Sequence, residues 1–320
     1  MNYPKPLKKG DKVAIISPST PTSPKRVEDA EKAIRAMGLE PIMFPTCYKY
    51  HGHLSGSDEE RAKDVNDAFL DKSIKGIICL KGGSGATRIL PRLKYDQIRE
   101  NPKVFVGYSD ITALHMVLNK ICNMVTYHGP MCISNVFNVD GDKVSFEPFT
   151  YNSLVDNIFK SKAIGEIKNP PNEKLEMLYG GSCEGEIMGG NLSLLVATLG
   201  SPYEVDVKGK ILFIEEVHEE TYKIDKMLTA LSLAGKFNDC VGILLGTFSD
   251  CMQEEKSSYD GKDLDLETIF KEVILPYKKP TLLNIRAGHN HPQVTIPFGV
   301  KAKMNADKRK VVLLEASTKE

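Results

Sequence analysis

The sequence lacks the features that mark several large protein classes. Its 42 basic residues balance its 42 acidic residues, and no long block of like charge occurs, so binding to nucleic acid driven by bulk charge is not expected. No stretch approaches the roughly 20 consecutive apolar residues of a membrane span. The apolar stretch VAIIS near the N-terminus is too short for the core of a signal peptide. These absences predict a cytoplasmic protein that binds neither nucleic acid nor membrane.

Paired metal and redox motifs are also missing. The 7 cysteines form no CxxC pair, and several, such as Cys79, lie in apolar runs. This pattern predicts reduced, mostly buried thiols in a reducing compartment. His289 and His291 have no third His or Cys close in sequence, and no HExxH motif occurs. We therefore expect no metal and no cofactor.

The first part of the chain alternates between strand and helix patterns. The length of 320 residues and the 41% hydrophobic content indicate about two domains. Strands are predicted over residues 12–17, 40–44, 74–80 and 104–106, and helices over 27–37, 59–69 and 110–118, with a further helix after the glycine-rich turn at 82–85. This alternation predicts an α/β fold with a parallel sheet covered by helices, over residues 1–133.

The pattern changes in the second half. Residues 134–182 include Pro148, Pro170 and Pro171 and no long periodic stretch other than 154–159, which predicts a connector and loop-rich region. Over residues 183–320 we predict a helix at 192–199, strands at 210–215 and 241–245, and a hairpin that includes QVTIPFGVKAKMN and turns at 305–307. A helix that Gly235 closes has its apolar face at Ile224, Met227, Leu228, Leu231 and Ala234. This second domain is predicted to be α+β.

A serine stands where a buried strand turns into a helix, in the segment VFVGYSDITAL. A strand-to-helix turn exposes Oγ of Ser109 and places it at a helix N-terminus, which favours a developing negative charge. The alternative is that Ser109 or Asp110 is only an N-cap, since Ser and Asp are common at that position. The complete G-x-S-x-G pattern is absent because Ile111 occupies its last position.

A glycine-rich turn follows the preceding predicted strand, in LKGGSGATR. Its backbone N–H groups could bind phosphate, form an oxyanion hole or simply make a tight turn. Neither the Walker loop nor the G-x-G-x-x-G fingerprint is matched. A non-catalytic module that binds phosphate is therefore an alternative hypothesis, but no standard phosphate-binding motif supports it.

Two further segments carry an acid and a base. The strand ILFI ends in Glu215 and Glu216, and the loop AGHNH carries His289 and His291. A carboxylate beside a histidine would fix its tautomer and stabilise the imidazolium. We expect Glu216 to be solvated, and a histidine seen alone in such a loop is more often structural than a general base. Together the segments offer a nucleophile, an acid and a base in the order Ser, Glu, His.

Over nearly its whole length the chain resembles the LD-carboxypeptidase family of serine peptidases. The resemblance rests on VAIISPS, LKGGSGATRIL, VGYSDITAL, YHGPM, MGGNLSLL, GSPYEVDVKGKILFIEEV and AGHNHPQVTIPFG. It implies a Rossmann-like N-terminal domain and a C-terminal domain with a small barrel-like sheet. It also implies a homodimer without a metal, whose active site lies where the two domains meet.

The resemblance also implies roles for particular residues. Ser109, Glu215 and His289 match the family's catalytic triad, and backbone N–H groups of Asp110 and of the Gly82–Gly83 turn match its oxyanion hole. As further substrate contacts we predict Arg88, for a free carboxylate, and Asn191. The implied reaction releases a terminal D-amino acid, such as D-Ala from a murein tetrapeptide.

The sequence departs from the family in two places. Several murein-recycling members have Tyr after the paired glycines, where this chain has Ser84. Members that confer microcin C self-immunity hydrolyse peptidyl or aminoacyl sulfamoyl-adenylates and stack the nucleoside on a Trp, but this chain contains 0 Trp. Tyr179 is a possible substitute for that residue. The sulfamoyl-adenylate substrate is thus the alternative to a small peptide or muropeptide.

Overall fold

Two large β-sheets organise the protein, and the computed structural model describes residues 1–252 and 263–320. The strands in chain order are β1 (Lys12–Ile16), β2 (Glu40–Met43), β3 (Ile74–Cys79), β4 (Val104–Gly107), β5 (Thr126–His128), β6 (Phe137–Asp140), β7 (Lys143–Phe146), β8 (Gly165–Glu166), β9 (Glu176–Tyr179), β10 (Ser182–Asn191), β11 (Ile211–Val217), β12 (Gly242–Ser249), β13 (Thr281–Leu283), β14 (Ile296–Phe298), β15 (Lys301–Asn305) and β16 (Lys310–Leu313). The helices are α1 (Pro24–Ala36), α2 (Asp58–Leu70), α3 (Ala86–Ile89), α4 (Tyr95–Arg99), α5 (Thr112–Lys120), α6 (Pro148–Ile158), α7 (Leu192–Ala197), α8 (Thr221–Leu233), α9 (Lys236–Asp239) and α10 (Leu266–Val273). Short 3-10 helices lie at Pro45–Tyr48, Leu90–Arg92, Ser109–Ile111 and Leu275–Tyr277.

The first sheet confirms the predicted α/β fold. Its strand order is β14-β5-β4-β3-β1-β2, and β2, β1, β3, β4 and β5 are all parallel. Residues of β4 are buried throughout, as expected for a strand covered on both faces. The order reverses between β1 and β3, and such a reversal opens a crevice at the carboxyl ends of the strands. The glycine-rich turn follows β3 at this edge.

The second sheet is mixed and open. Strands β10, β11, β12 and β13 are parallel, while β9 and β15 flank them in antiparallel orientation. The full order is β8-β16-β15-β10-β11-β12-β13-β9. Because β8 and β9 lie at opposite ends, the eight described strands do not close into a barrel. The two sheets share one continuous apolar core.

Residues 134–182 contain more regular structure than the predicted connector. They hold the β6–β7 hairpin, helix α6 and the edge strands β8 and β9. The sequence interpretation found a periodic pattern only over 154–159, the second half of α6, and took Pro148 as part of the loop-rich region. Pro148 is instead the first residue of the helix, where its missing N–H costs nothing, and Glu147 caps the helix by accepting from two backbone N–H groups. The domain boundaries at 133 and 182 stay a prediction.

The predicted C-terminal hairpin is partly wrong. Strands β15 and β16 form an antiparallel pair, as expected. Residues 296–298, which the prediction included in the same hairpin, instead form β14 and pair with β5 of the first sheet. Gly299, at φ 85°, separates the two strands. Pro297 is tolerated because β14 is an edge strand. The chain thus contributes β14 to the first sheet and then returns to the second sheet with β15 and β16.

Most other local predictions are confirmed within a few residues. Helix α2 begins with a capping box between Ser57 and Glu60, and Gly235 ends α8 at φ 75°. Ala234 lies beyond α8 and is exposed, in contrast to its predicted place on the apolar face. All seven cysteines are free and six are buried. No helix in the described part of the chain has both the length and the apolar character that crossing a bilayer demands.

Candidate active site

Ser109 lies at the carboxyl edge of the first sheet in a rare backbone conformation. Its φ is 65°, in the left-handed region that costs a residue with a Cβ about 1–2 kcal/mol. The Tyr108 carbonyl accepts a hydrogen bond from Ile111 N at 3.3 Å and tightens the turn. At Gly107, a Cβ would lie 2.7 Å from Cγ2 of Ile111, so the turn requires glycine there. The predicted turn from strand to helix is therefore present, and it leaves Ser109 half-buried.

The side chains of Ser109 and Asp110 do not cap α5. Oγ of Ser109 lies 3.0 Å from Nε2 of His289. The Asp110 carboxylate accepts from Oγ of Ser19 at 2.6 Å and from the Ala86 backbone N–H at 2.8 Å. These contacts join the serine turn to the loop after β1 and to the start of α3. The N-cap interpretation of this segment is wrong.

Glu215 and His289 meet at the carboxyl edge of the second sheet. Glu215 lies in β11 and is 0% exposed. Its Oε2 accepts from Nδ1 of His289 at 2.8 Å and from the His289 backbone N–H at 3.3 Å. Because a carboxylate only accepts, Nδ1 carries a proton and the lone pair of Nε2 points at Ser109. A continuous hydrogen-bonded line therefore connects Ser109, His289 and Glu215.

Two opposed effects set the pKa of His289. Burial alone lowers the pKa, because it disfavours the imidazolium. The charge of Glu215 and its hydrogen bond to the ring raise the pKa, and the charge of Glu216 adds to them, so the net pKa lies above 6.5. The ring of Tyr108 packs edge-on against His289, with centroids 5.0 Å apart. These contacts hold the imidazole in one orientation and favour its protonated form.

Glycines make room for the buried carboxylate. At Gly288, with φ 101°, a Cβ would lie 2.6 Å from Cδ of Glu215. At Gly246 in β12, a Cβ would lie 2.9 Å from Cβ of Glu215. Both distances are shorter than real carbon–carbon contacts. The glycine that precedes His289 thus lets the base approach the acid.

Glu216 is buried, so the expectation that it is solvated is wrong. Only 2% of the residue is exposed. Its Oε1 accepts from Nδ2 of Asn191 at 2.6 Å and from the Val217 N–H at 2.9 Å, and its Oε2 accepts from Ser193 N–H at 2.8 Å and Oγ at 2.6 Å. Burial raises the pKa of Glu216, while these hydrogen bonds oppose the rise. Glu216 ties the end of β11 to the start of α7.

The two residues predicted as further substrate contacts are engaged elsewhere. The guanidinium of Arg88 contacts both carboxylate oxygens of Asp58, with Nε 3.0 and 3.2 Å from them. The amide of Asn191 donates to Glu216. Neither residue lines the cleft at Ser109. Their roles in substrate binding remain predictions that these contacts do not favour.

The paired glycines lie beside Ser109. At Gly82, a Cβ would lie 2.9 Å from Cβ and 3.2 Å from Oγ of Ser109. Gly83 has φ 124° and packs against Thr20, whose Oγ1 accepts from the Ser84 N–H at 3.0 Å. The close approach of this backbone to the serine requires glycine. The loop is therefore placed where N–H groups could face a substrate bound at Ser109.

Ser109 and His289 open onto a cleft of about 440 Å³ between the two sheet edges. Residues of both halves of the chain line it: Arg26, Lys81, Gly82, Gly83, Tyr108, Ser109, Met131, Ile133, Ser134, Asn135, Val217, His218, Asp250, His289, Asn290, His291 and Gln293. Tyr179 lies on edge strand β9, outside this lining. Sequence reasoning missed Tyr108 and Lys81, although both are adjacent to motif residues.

Family models match both halves of the chain. Residues 13–129 match the LD-carboxypeptidase N-terminal domain, and residues 184–304 match the C-terminal domain. The chain is 37% identical to the probable murein peptide carboxypeptidase of Bacillus subtilis (strain 168), over 100% of this chain and 97% of that protein.

Solved structures show the same fold. Muramoyltetrapeptide carboxypeptidase from Oxalobacter formigenes superposes with a TM-score of 0.79 at 26% identity, over 94% of this chain and 97% of that one. The microcin C7 self-immunity protein in complex with aspartyl sulfamoyl adenosine gives a TM-score of 0.87 at 24% identity, over 100% of both chains. With both domain models matched and a relative at 37% identity over the full length, the chain belongs to the LD-carboxypeptidase family of hydrolases.

Proposed function

We propose that the protein is a serine-type LD-carboxypeptidase that removes a terminal D-amino acid. Its proposed substrate is a murein tetrapeptide, from which it releases D-Ala. One observation carries the proposal: Oγ of Ser109, the ring of His289 and the carboxylate of Glu215 form an unbroken hydrogen-bonded line. The murein substrate is drawn from the name of the Bacillus subtilis relative. The proposed place of action is the cytoplasm.

Acylation begins with proton transfer from Ser109 to His289. As Oγ attacks the carbonyl carbon between an L-centre and the terminal D-residue, Nε2 of His289 takes the hydroxyl proton. Glu215 compensates the imidazolium through the hydrogen bond from Nδ1. The C–N bond then breaks, and the leaving amine takes the proton from Nε2. In deacylation a water gives a proton to Nε2 of His289 and attacks the acyl carbon. The ester bond to Oγ of Ser109 then breaks, and Nε2 returns the proton to Oγ, which regenerates the serine.

The tetrahedral intermediates need hydrogen-bond donors for their negative oxygen. We assign this role to the backbone N–H groups of Asp110 and of the Gly82–Gly83 turn. The support is the packing of Gly82 against the Ser109 side chain, which leaves no side chain between the loop and the reacting carbon. Each such donor typically contributes about 3–4 kcal/mol to stabilisation of the transition state.

Hydrolysis of peptidyl or aminoacyl sulfamoyl-adenylates is the second candidate. It rests on the fold shared with the microcin C7 self-immunity protein. Stacking of a nucleoside requires an aromatic ring with a free face in the cleft. The chain has no Trp, and Tyr179 lies outside the cleft lining. Tyr108 does line the cleft, but its ring already packs against His289 and His128. Purified protein assayed on both substrates side by side separates the two, and the peptide is expected to be the better one.

Release of D-Ala from a murein tetrapeptide tests the main proposal. The Ser109→Ala protein should keep its fold by circular dichroism and release no D-Ala. Ser109→Gly is the matched second variant, because glycine adopts φ 65° without strain. A peptide ending in L-Ala should not be cleaved by wild type. D-Ala release at the wild-type rate by both variants would exclude Ser109 as the nucleophile.

A further inference from the structure

The charged residues around the cleft are unevenly distributed. Of the cleft-lining residues in the described part of the chain, Arg26 and Lys81 carry permanent positive charges and Asp250 carries the one carboxylate. Asp250 faces His218 across the ends of β12 and β11, with Oδ2 3.8 Å from Nδ1. The negative charge therefore belongs to the wall built by the second sheet, and the two cations belong to the other wall.

Arg26 and the backbone next to Lys81 are both hydrogen-bonded to Ile133. The Ile133 N–H donates to the carbonyl of Leu80, the residue before Lys81, at 3.3 Å. The Ile133 carbonyl accepts from a terminal nitrogen of Arg26 at 3.2 Å. Lys81 in turn precedes Gly82, which packs against Ser109. Both cations therefore lie on the wall that carries the proposed nucleophile.

Neither cation is neutralised by an acidic side chain within the described residues. Arg88 and Arg92 pair with Asp58 and Glu59, and Lys25 pairs with Asp29. Arg26 and Lys81 form no such ion pair in residues 1–252 or 263–320, and the contact of Arg26 with Ile133 is to a neutral carbonyl. Two cations without a counter-ion in a cleft are suited to bind a carboxylate of the substrate.

The chemistry of the reaction places such a carboxylate near Ser109. In a substrate with a free C-terminus, three bonds separate the scissile carbonyl carbon from the terminal carboxylate carbon, a distance of at most about 4 Å. The leaving residue must therefore have its carboxylate beside Ser109, and Asp250 would repel it on the opposite wall. Arg88, which the sequence suggested for this role, is already paired.

We propose that Lys81 and Arg26 bind the free α-carboxylate of the leaving D-amino acid and thereby make the enzyme a carboxypeptidase. This inference rests on the proposed function and adds the residues that determine its specificity for a free C-terminus. Lys81 supplies a point charge beside the Gly82 turn, and Arg26 supplies a planar guanidinium anchored by Ile133.

Two peptides test the inference: a tetrapeptide ending in D-Ala, and the same peptide with its C-terminal carboxylate converted to an amide. Lys81→Met and Arg26→Met should each lower kcat/KM for the acid by about tenfold to a hundredfold, mainly through KM, and leave kcat/KM for the amide unchanged. Lys81→Arg should restore part of the preference for the acid. Lys25→Met, which removes a neighbouring cation outside the cleft, is the matched control and should leave the ratio intact.

Binding to the Ser109→Ala protein separates this inference from the proposed reaction. Calorimetry should show tighter binding of the acid than of the amide. The difference should disappear when either Lys81→Met or Arg26→Met is added to the Ser109→Ala protein. That result would support the carboxylate site even if wild type released no D-Ala. Equal affinity for acid and amide, or an acid preference that survives both substitutions and is lost in Arg88→Met, would overturn it.

Discussion

The two sheet edges that meet at the cleft position their functional side chains by different physical means. At the edge of the first sheet, backbone conformation dominates, since Ser109 adopts φ 65° and Gly82 packs directly against it. At the edge of the second sheet, buried side chains dominate, because Glu215 is fully buried beneath His289. The first edge thus sets the position of the Ser109 hydroxyl. The second edge sets the charge next to His289 and the proton affinity of its ring.

Two adjacent carboxylates within the second edge sharpen this comparison. Within residues 1–252 and 263–320, Glu215 hydrogen-bonds to one residue, His289, and its buried Oε1 has no hydrogen-bond partner. Glu216 accepts four hydrogen bonds, of which the three from Asn191 and Ser193 link β11 to the start of α7 and the fourth comes from Val217 in β11. The first carboxylate is arranged to act on an imidazole, and the second is arranged to hold two elements together.

The largest effect is expected from Glu215→Gln. Without a negative charge below His289, the imidazolium is not compensated and the tautomer is no longer fixed, so kcat should fall by about a thousandfold to ten-thousandfold. The free energy of unfolding should change little, because Gln matches Glu in size and can hydrogen-bond Nδ1 through either its oxygen or its amide group. Kinetics of D-Ala release and urea titration measure the two quantities.

Glu216→Gln is the matched variant, and it should lose stability more than activity. The Gln amide group would face N–H or O–H donors, which lowers the free energy of unfolding by about 1–3 kcal/mol, while kcat falls far less than in Glu215→Gln. If the two variants lost the same activity and the same stability, the distinction between the carboxylates would be refuted.

A smaller loss is expected from Gly288→Ala. The added Cβ would lie 2.6 Å from Cδ of Glu215, so His289 or the carboxylate must move, and a displacement of about 1 Å can cost about a hundredfold in rate. Gly10→Ala is the control, because Gly10 has φ 86° with no atom within 4 Å of the added Cβ. Both variants bear the strain of a positive φ, and only Gly288→Ala should lose activity. Equal activity of the two would show that the close contact is irrelevant.

The smallest effect is a shift in the pH profile. Since His289 must be neutral to accept the Ser109 proton, kcat/KM should rise with pH through a pKa above 6.5. In Glu215→Gln the residual activity should show a lower pKa, because burial remains while the charge and the carboxylate hydrogen bond are lost. The raised pKa also means that His289 stabilises the fold below about pH 6.5, and that this contribution is lost as pH rises through the folded-state pKa. An unchanged profile in the variant would contradict this assignment.

The sequence predicted the first sheet better than the second half of the chain. Strands β1, β3 and β4 are apolar runs bounded by turns, and such local patterns are visible without tertiary information. Strand β14 could not be assigned, because its partner β5 is distant in sequence and both alternatives satisfy the local pattern. Only the second half of helix α6 showed a periodic pattern, and its start was not recognised, because Pro148 is a break inside a helix but a favourable first residue.

The candidate site was predicted as separate segments. The turn at Ser109 follows from a strand, a glycine and a helix in succession. The choice between Glu215 and Glu216 came from family resemblance, and the local sequence gave no reason for the burial of Glu216. Arg88 was proposed for a carboxylate because it is a cation near the glycine loop, but only coordinates reveal its pair with Asp58.

By itself the sequence determined the alternation of strands and helices, the glycine-bounded turn that exposes Ser109 and the family. Those properties depend on residues that are neighbours along the chain, so the pattern of apolar and turn residues encodes them. Only the tertiary structure decided which carboxylate contacts His289, which cleft cations form no ion pair with the described residues, and which sheet β14 joins. These outcomes depend on distances between residues that are far apart in sequence, because burial and charge pairing arise only when the two sheet edges pack together.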